Sequence, residues 1–379
     1  MGLESPDALY VHVPFCVGKC GYCDFYSVVV SDDAVRAYLD AVAAELRMTA
    51  DVLGGCAKTV YVGGGTPTSL DADELDELLR AVLAHVDAKR IEEFTVEANP
   101  GTLSREKLLV LESRGVNRLS LGAQSFNDRL LAVLGRRHRR DDVGRAVELA
   151  REAGLANLSL DLIFGVPTGT VAEWRSDLDE ALSLDVPHVS AYSLTYEEGT
   201  PLARAVEEGA YRRLGEEDDL RMYEETIETL TSAGFEHYEV SNFARRGFAC
   251  RHNEIYWANE SYLGVGPSAV SYIGGERRRS VASVPQYAER LSRGELPVDF
   301  RERLKPEQRA RETAVMNLRR TRGMDLDEFR RHTGFDAMEM FGKELQSLAA
   351  DGLVEMTPDS VRLTRKGLFV ADSVLAMLV

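Results

Sequence analysis

The sequence predicts an α/β protein built on a parallel sheet, either an open sheet or a partial barrel. Three observations carry this expectation. Short β-branched runs alternate with longer amphipathic stretches through the first half of the chain, as right-handed strand–helix crossovers require. Six such units are present, too few for the eight of a closed TIM barrel. Glycines and polar residues gather where each run stops, the end of a parallel sheet at which sites are built.

The first run, ALYVHV (8–13), leads into CVGKCGYC. Cys16, Cys20 and Cys23 are spaced C-x3-C-x2-C, and three thiolates can hold three irons of a [4Fe–4S] cluster. The fourth iron is then open to chelate a small molecule. A structural zinc site needs a fourth Cys or His at suitable spacing, and Asp24 and Phe25 follow instead. A disulfide does not suit an acidic chain with no secretion signal. His12 is either a nearby ligand or an inward-pointing strand residue.

The second run, TVYV (59–62), enters GGGTPT, where Gly63, Gly64 and Gly65 let backbone approach a ligand with no Cβ in the way. The motif has neither G-x-G-x-x-G spacing nor a P-loop lysine. ADELDELLRAVLAHV then sets Leu75, Leu78, Leu79, Val82 and Leu83 at helical spacing as a core-facing stripe. EFTVEA (93–98) brings Glu97, a carboxylate for an ammonium or a ribose hydroxyl. NRLSLGA (117–123) precedes Gln124, which can donate or accept. GRRHRR (135–140) is the one basic run, an anion site or a solvated loop. NLSLDLIF (157–164) carries Asp161, costly to bury alone, so Arg136 is its expected partner unless that guanidinium meets a ligand carboxylate. HVSAYSLT (188–195) places Tyr192 and Ser193 late in the sixth unit.

Beyond the six units, EHYEVSNFARRGFACRHNEIYWANESYLGVGPSAVSY is dense in aromatics. His252, beside Cys250, is a candidate metal or haem ligand, or a histidine satisfied in an aromatic core. GVGPSAVSYIGG reads as a lid or ligand wall, and Cys56 as a small buried hydrophobe. From Lys305 three helices, a hairpin and a last helix resemble a winged helix. The expected boundaries are 1–240 for the strand–helix units, 241–304 for the segment holding HNEIYW together with a connector, and 305–379 for the terminal module.

Charge narrows the function classes. The chain carries a net charge of −17, against the basic balance that phosphate contacts need. Residues 305–379 hold twelve Lys and Arg against twelve Asp and Glu, so the winged-helix-like module is not expected to bind DNA. A substrate cover or a dimer contact suits it better. No apolar run approaches the roughly 20 residues of a membrane span. MGLESPDALY has no signal-peptide pattern, which places the expected site of action in the cytoplasm, with peripheral attachment at the inner membrane face as a variant of that reading.

Together these stretches resemble the radical S-adenosylmethionine superfamily, and within it the group of oxygen-independent coproporphyrinogen III oxidases and their relatives. The carriers are YVHVPFCVGKCGYCDFYS, GGGTPT, VEANPGT, LSLGAQSFND, LLAVLGRRH, LSLDLIFGVPTGT, YEVSNFA and HNEIYW, in the family's order across almost the whole chain. The resemblance implies a partial (β/α)6 TIM-like barrel with a C-terminal winged-helix-like domain, a [4Fe–4S] cluster on Cys16, Cys20 and Cys23, and S-adenosylmethionine on its open iron. Tyr10, Gly64, Gly65, Thr66, Glu97, Gln124, Arg136 and Asp161 would then bind that cosubstrate. The authentic oxidase has a fourth cysteine where Phe25 stands, and an N-terminal arm for which nine residues before Tyr10 leave no room. The haem-chaperone branch has H-N-x-x-Y-W, met by His252, Asn253, Tyr256 and Trp257, which would contact haem. The resemblance thus implies haem transfer to acceptor haemoproteins, those of the respiratory chain among them, rather than oxidative decarboxylation in porphyrin biosynthesis. It also implies an electron donor such as flavodoxin or ferredoxin, no nucleic acid, and either a monomer or a homodimer.

Overall fold

The computed structural model describes residues 5–379. Six parallel strands form its centre: β1 (Ala8–Val13), β2 (Thr59–Gly64), β3 (Glu93–Ala98), β4 (Arg118–Gln124), β5 (Leu158–Phe164) and β6 (His188–Ser193). They pair side by side in chain order. Helices α1 (Asp32–Leu53), α2 (Ala72–Leu83), α3 (Arg105–Ser113), α4 (Arg140–Glu152), α5 (Val171–Ser183) and α6 (Glu216–Ser232) follow the strands in turn. Local chemistry sets their limits. Asp71 and Glu74 form a reciprocal capping box at the start of α2, and Leu75, Leu78, Leu79 and Val82 bury its stripe, with Leu83 half-buried at the edge.

The strands explain why the interior is not an oily core. Side chains alternate across a strand, so Leu119, Leu121 and Ala123 of β4 join the hydrophobic core, while Arg118, Ser120, Gly122 and Gln124 take the other face. In β5, Leu158, Leu160 and Leu162 pack likewise, opposite Ser159 and Asp161. The inner face is therefore polar. It curls around one cavity lined from β2, β3, β4, β5 and β6 and from the loop after β1, giving the expected partial (β/α)6 barrel.

An unclosed sheet leaves two edges, and later chain covers both. Tyr262–Val265 pairs in parallel with β1, and Val270–Ile273, Glu276–Ser280 and Val298–Arg303 continue outward antiparallel. At the far edge Asn242–Ala244 pairs with β6 and Glu236–Glu239 lies beyond it, completing twelve strands. The stretch 241–304, expected as the H-N-x-x-Y-W segment and connector, thus supplies strands at both edges of the sheet, with helices Arg251–Trp257 and Val284–Ser292 among them. GVGPSAVSYIGG, expected as a lid or ligand wall, runs from the end of the first strand of that extension through the second. Glu45 of α1 fastens the extension from outside, accepting hydrogen bonds from the Gly266 N–H at 2.8 Å and from the Tyr287 and Ser280 hydroxyls.

The terminal module has the expected three helices, Pro306–Leu318, Leu326–Thr333 and Ala337–Ala350. Its hairpin strands, Val354–Met356 and Ser360–Leu363, are joined by Met324–Asp325 in a three-stranded sheet. The last helix, expected as one piece, breaks at Val370 into Arg365–Phe369 and Ala371–Ala376. Among the described residues no helix is long and apolar enough to cross a membrane.

Burial pushes the Glu45 carboxyl up to about 7, against the pull of its donors and of Arg278. A carboxyl raised in the fold favours its protonated form, so its stabilising contribution is full below the unfolded value near 4.5 and is lost as pH rises through about 7. The unfolding free energy from urea titrations should therefore fall between roughly pH 5 and 8, by about 1–3 kcal/mol from this group. Glu45→Gln should flatten that slope; an unchanged slope would assign it to other buried carboxyls.

Candidate functional site

The cavity inside the curled sheet measures about 770 Å³. Cys16, Cys20 and Cys23 stand on its wall at the loop end, half-buried and free of disulfides. The loop that carries them is stitched down by backbone. The Gly65 and Thr66 N–H groups donate to Val13 and Phe15 oxygens at 2.8 and 2.7 Å, and Gly21 N–H donates to the Leu134 oxygen at 3.0 Å. Thr66 Oγ1 lies 3.6 Å from Cys16 Sγ. Arg136 Nη1 donates to Cys20 Sγ at 3.4 Å. Among the described residues no three His, Cys, Asp or Glu side chains converge as ligands of a single metal ion. A four-iron cube needs no such convergence, since each thiolate meets a different corner. Three free thiols around one mouth, with a guanidinium beside them, fit such a cube with one corner left to a ligand.

The residues expected to hold the cosubstrate mostly line this cavity. Glu97 accepts from the Tyr61 hydroxyl at 2.7 Å and from the Gly64 N–H at 3.0 Å. Burial pushes its carboxyl up to about 7, with nearby Asp161 adding to the rise. Gln124 ends β4 at φ 66, a left-handed conformation unusual for a residue with a side chain, and Arg136 Nη2 donates to the Gly122 oxygen at 2.6 Å. Asp161 is met by Ser120 at 3.0 Å and Ser159 at 3.4 Å, with Ser190 as a further partner. Its partners are thus hydroxyls rather than Arg136. Tyr10 stands off the cavity wall, donating to His12 Nδ1 at 3.0 Å, while His12 Nε2 donates to the Tyr26 oxygen at 3.0 Å. Both nitrogens of His12 are engaged, so it is a strand residue and not a metal ligand. At GGGTPT the space beside two glycines is filled by protein: a Cβ would lie 2.6 Å from Glu97 at Gly63 and 2.3 Å from His12 at Gly64.

The H-N-x-x-Y-W residues lie at the opposite end. Helix α7 (Arg251–Trp257) closes the barrel where the strands begin. Glu93, the first residue of β3, accepts from the Arg251 and His252 N–H groups at 2.9 and 3.1 Å. His252 is 1% exposed, its Nδ1 2.9 Å from Thr59 Oγ1 at the start of β2 and its Nε2 2.9 Å from the Tyr256 hydroxyl. Burial, reinforced by Arg118, pushes its pKa down to about 3, so the ring is neutral. The Trp257 carbonyl accepts from Asn317 of the terminal module at 3.0 Å. Only Asn253 of the four reaches the cavity. Both His252 nitrogens are hydrogen-bonded within the barrel floor, and its ring lies against Tyr61 and Tyr256, with centroids 5.1 and 4.9 Å away. Cys250 is buried there, its thiol 3.4 Å from Glu93, whereas Cys56, expected inside, is half-buried with Arg90 Nη1 3.1 Å from its sulfur.

Arg118 was not singled out from the sequence. It is 2% exposed at the deep end of the cavity, its Nε buried without a partner, near Glu93 and Tyr61. Its signal was the period-two series Arg118, Ser120, Gly122, Gln124, which puts every polar residue of RLSLGAQ on the inner face.

Comparison with known proteins places these features in context. A family model described as the radical SAM superfamily matches residues 10–181, and one described as the HemN C-terminal domain matches residues 304–370. The heme chaperone HemW of Bacillus subtilis is 37% identical over 367 residues, 96% of this chain and 97% of that protein. The heme chaperone HemW of Lactococcus lactis is 35% identical over 376 residues, 98% of this chain and 97% of its own length. Coproporphyrinogen III oxidase (HemN) from Escherichia coli, a radical SAM enzyme, shares the fold at a TM-score of 0.86 and 23% identity, over 99% of this chain and 90% of that one.

Gly64→Ala should lower the unfolding free energy by roughly 1–3 kcal/mol, because the residue sits at φ 102 and its Cβ would meet the His12 ring. His252→Ala should cost about 2–4 kcal/mol through two lost buried hydrogen bonds and a cavity in the floor. Thermal unfolding of both variants against the wild type measures this.

Proposed function

Since the chain belongs to the radical SAM superfamily and, within it, to the HemW family, we propose that it is a haem chaperone. The observation that carries the reading is identity of 35–37% across almost the entire length of relatives bearing that name. On this reading Cys16, Cys20 and Cys23 hold a [4Fe–4S] cluster, and Gly64, Gly65, Thr66, Glu97, Gln124, Arg136 and Asp161, backed by Tyr10, position S-adenosylmethionine. The cluster, when bound, supplies an electron for reductive chemistry at the sulfonium. The protein's share is electrostatic. Arg136 balances thiolate charge at Cys20, and Glu97, with a carboxyl near 7, accepts an ammonium or hydroxyl donor at little cost. The polar inner face meets the ligand's polar groups, while the apolar outer face keeps water from the helices.

Haem delivered in this way goes to acceptor haemoproteins, with a flavodoxin- or ferredoxin-type donor reducing the cluster in the cytoplasm. The alternative, oxidative decarboxylation of coproporphyrinogen III, lacks support at the position where that enzyme's fourth cysteine stands: here it is Phe25, with its ring in solvent.

Anaerobically reconstituted protein titrated with haem should show saturable absorption changes near one haem per chain, and haem-loaded protein should restore an apo-haemoprotein. Cys16→Ala should lose most cluster iron. Absence of saturable haem binding by the wild type would sink the chaperone reading, and anaerobic complementation of an oxidase-deficient strain would revive the alternative.

A further inference from the structure

Resting on the reading that Gln124 helps to hold S-adenosylmethionine, we propose that Asp177 is a positioning residue. From outside the barrel it holds Gln124 in a strained turn that aims the amide into the cavity. The sheet is irregular at this point. Leu121 of β4 stands opposite Leu160 of β5, but Leu162 stands opposite Gln124, so β4 carries one extra residue. Leu162 packs in the apolar layer under the helices, whereas Gln124 lines the cavity. The backbone makes up the difference in one step. The Ser125 N–H donates to the Ala123 oxygen at 2.9 Å, closing a γ-turn with Gln124 at its centre and φ 66. A γ-turn of positive φ is rare and strained for a residue with a side chain. The result is visible at Gly122, where a Cβ would lie 2.8 Å from Gln124 Nε2 and 3.3 Å from Arg136 Nη2. The amide thus stands beside the guanidinium, over a residue that has no side chain.

Such a turn persists only where its surroundings over-determine it. Asp177, on α5, is buried and commits both carboxylate oxygens to the residues that follow Gln124. The Ser125 hydroxyl donates to Oδ2 at 2.6 Å and the Phe126 N–H to Oδ1 at 2.8 Å. Ser125 Oγ accepts in turn from the Asn127 N–H at 3.0 Å. On the near side, His138 Nε2 donates to the Ala123 oxygen at 3.0 Å. The turn is clamped at both ends, by an acid on a helix and by an imidazole from the loop before α4. Packing alone does not call for this acid. Trp174, Leu178 and Ala181 bury the same helix with apolar side chains, and burial pushes the Asp177 carboxyl up to about 6 against the pull of Ser125 and Phe126. Glu173, one turn earlier on α5, supplies a contrast. It accepts from Asn127 Nδ2 at 2.9 Å and pairs with Arg129, tying the same loop further from Gln124.

The test measures S-adenosylmethionine affinity of full-length, cluster-reconstituted protein by equilibrium dialysis, with iron content and thermal unfolding recorded for each variant. Asp177→Ala should weaken binding about tenfold or more at unchanged iron content. Asp177→Asn keeps an acceptor for the Phe126 N–H and should lose about threefold or less. Glu173→Ala should lower the unfolding temperature and leave affinity as it was; a loss equal to that of Asp177→Ala would mean general loosening of the loop and overturn the proposal. The coupling decides between positioning and mere support. In a Gln124→Ala background, Asp177→Ala should cost no further affinity, because it acts only through that amide. Gln124→Gly should unfold at a higher temperature than the wild type yet bind more weakly, since glycine relieves the turn and removes the amide. Additive losses in the double variant, or wild-type affinity in Asp177→Ala, overturn the proposal. Should Asp177→Ala fail to fold, Ser125→Ala removes one end of the clamp and carries the same comparison. Unchanged affinity in Gln124→Ala fails the reading of Gln124, and absence of saturable binding by the wild type fails the cosubstrate reading, each taking the proposal with it.

Discussion

Six strands can curl but cannot meet, and the rest of the molecule answers to that constraint. A closed barrel seals itself; this one has an open side, two unpaired edges and an end that needs a floor. Glu93 supplies the floor's anchor, a carboxylate from the start of β3 gripping the first N–H groups of a seven-residue helix from far along the chain. Such a helix is too short to hold itself in water. Thr59, Tyr238 and Asn317 add ties from β2, from the far sheet edge and from the terminal module. A buried carboxylate whose partners are removed is costly, so this corner is set by satisfaction of one charge rather than by apolar packing.

Polarity inside and oil outside is the second consequence. Period-two alternation sends leucines and valines of the strands toward the helices and leaves hydroxyls, carboxyls and one guanidinium facing the cavity. Glu97 and Asp161 are kept close to one another there, with Arg118 beneath them as the balancing cation. Two carboxyls and a cation at fixed positions, screened from water, act on any bound charge more strongly than they would at a surface.

Much of this could be read from residues alone, for identifiable reasons. The strand ends were legible because β-branched runs stop abruptly at glycines, and the cysteine triplet because metal-ligand spacing is local. Asp161 was legible as an anomaly in an apolar run, but its partners were not, because Ser120 and Ser190 come from neighbouring strands and only register brings them alongside. The surroundings of His252 were hidden for the same reason: Thr59, nearly two hundred positions earlier, takes one of its nitrogens. The lid expected at GVGPSAVSYIGG failed because an unpaired edge at β1 was waiting for it, a demand that no local pattern records.

That pairing of Tyr262–Val265 with Ala8–Val13 also has a bearing on time. During synthesis the first strand emerges with one partner soon to come and the other absent until the ribosome has passed Val265. The floor helix is made only just before, so for most of translation the nascent barrel is open at both its first edge and its base. Contacts of such long sequence separation are slow to form. The cysteine loop, by contrast, is complete almost at once, and its stitches to Gly65 and Thr66 need only the second strand. The cysteine loop of this protein can therefore begin to be organised while the far end of the barrel is still unmade.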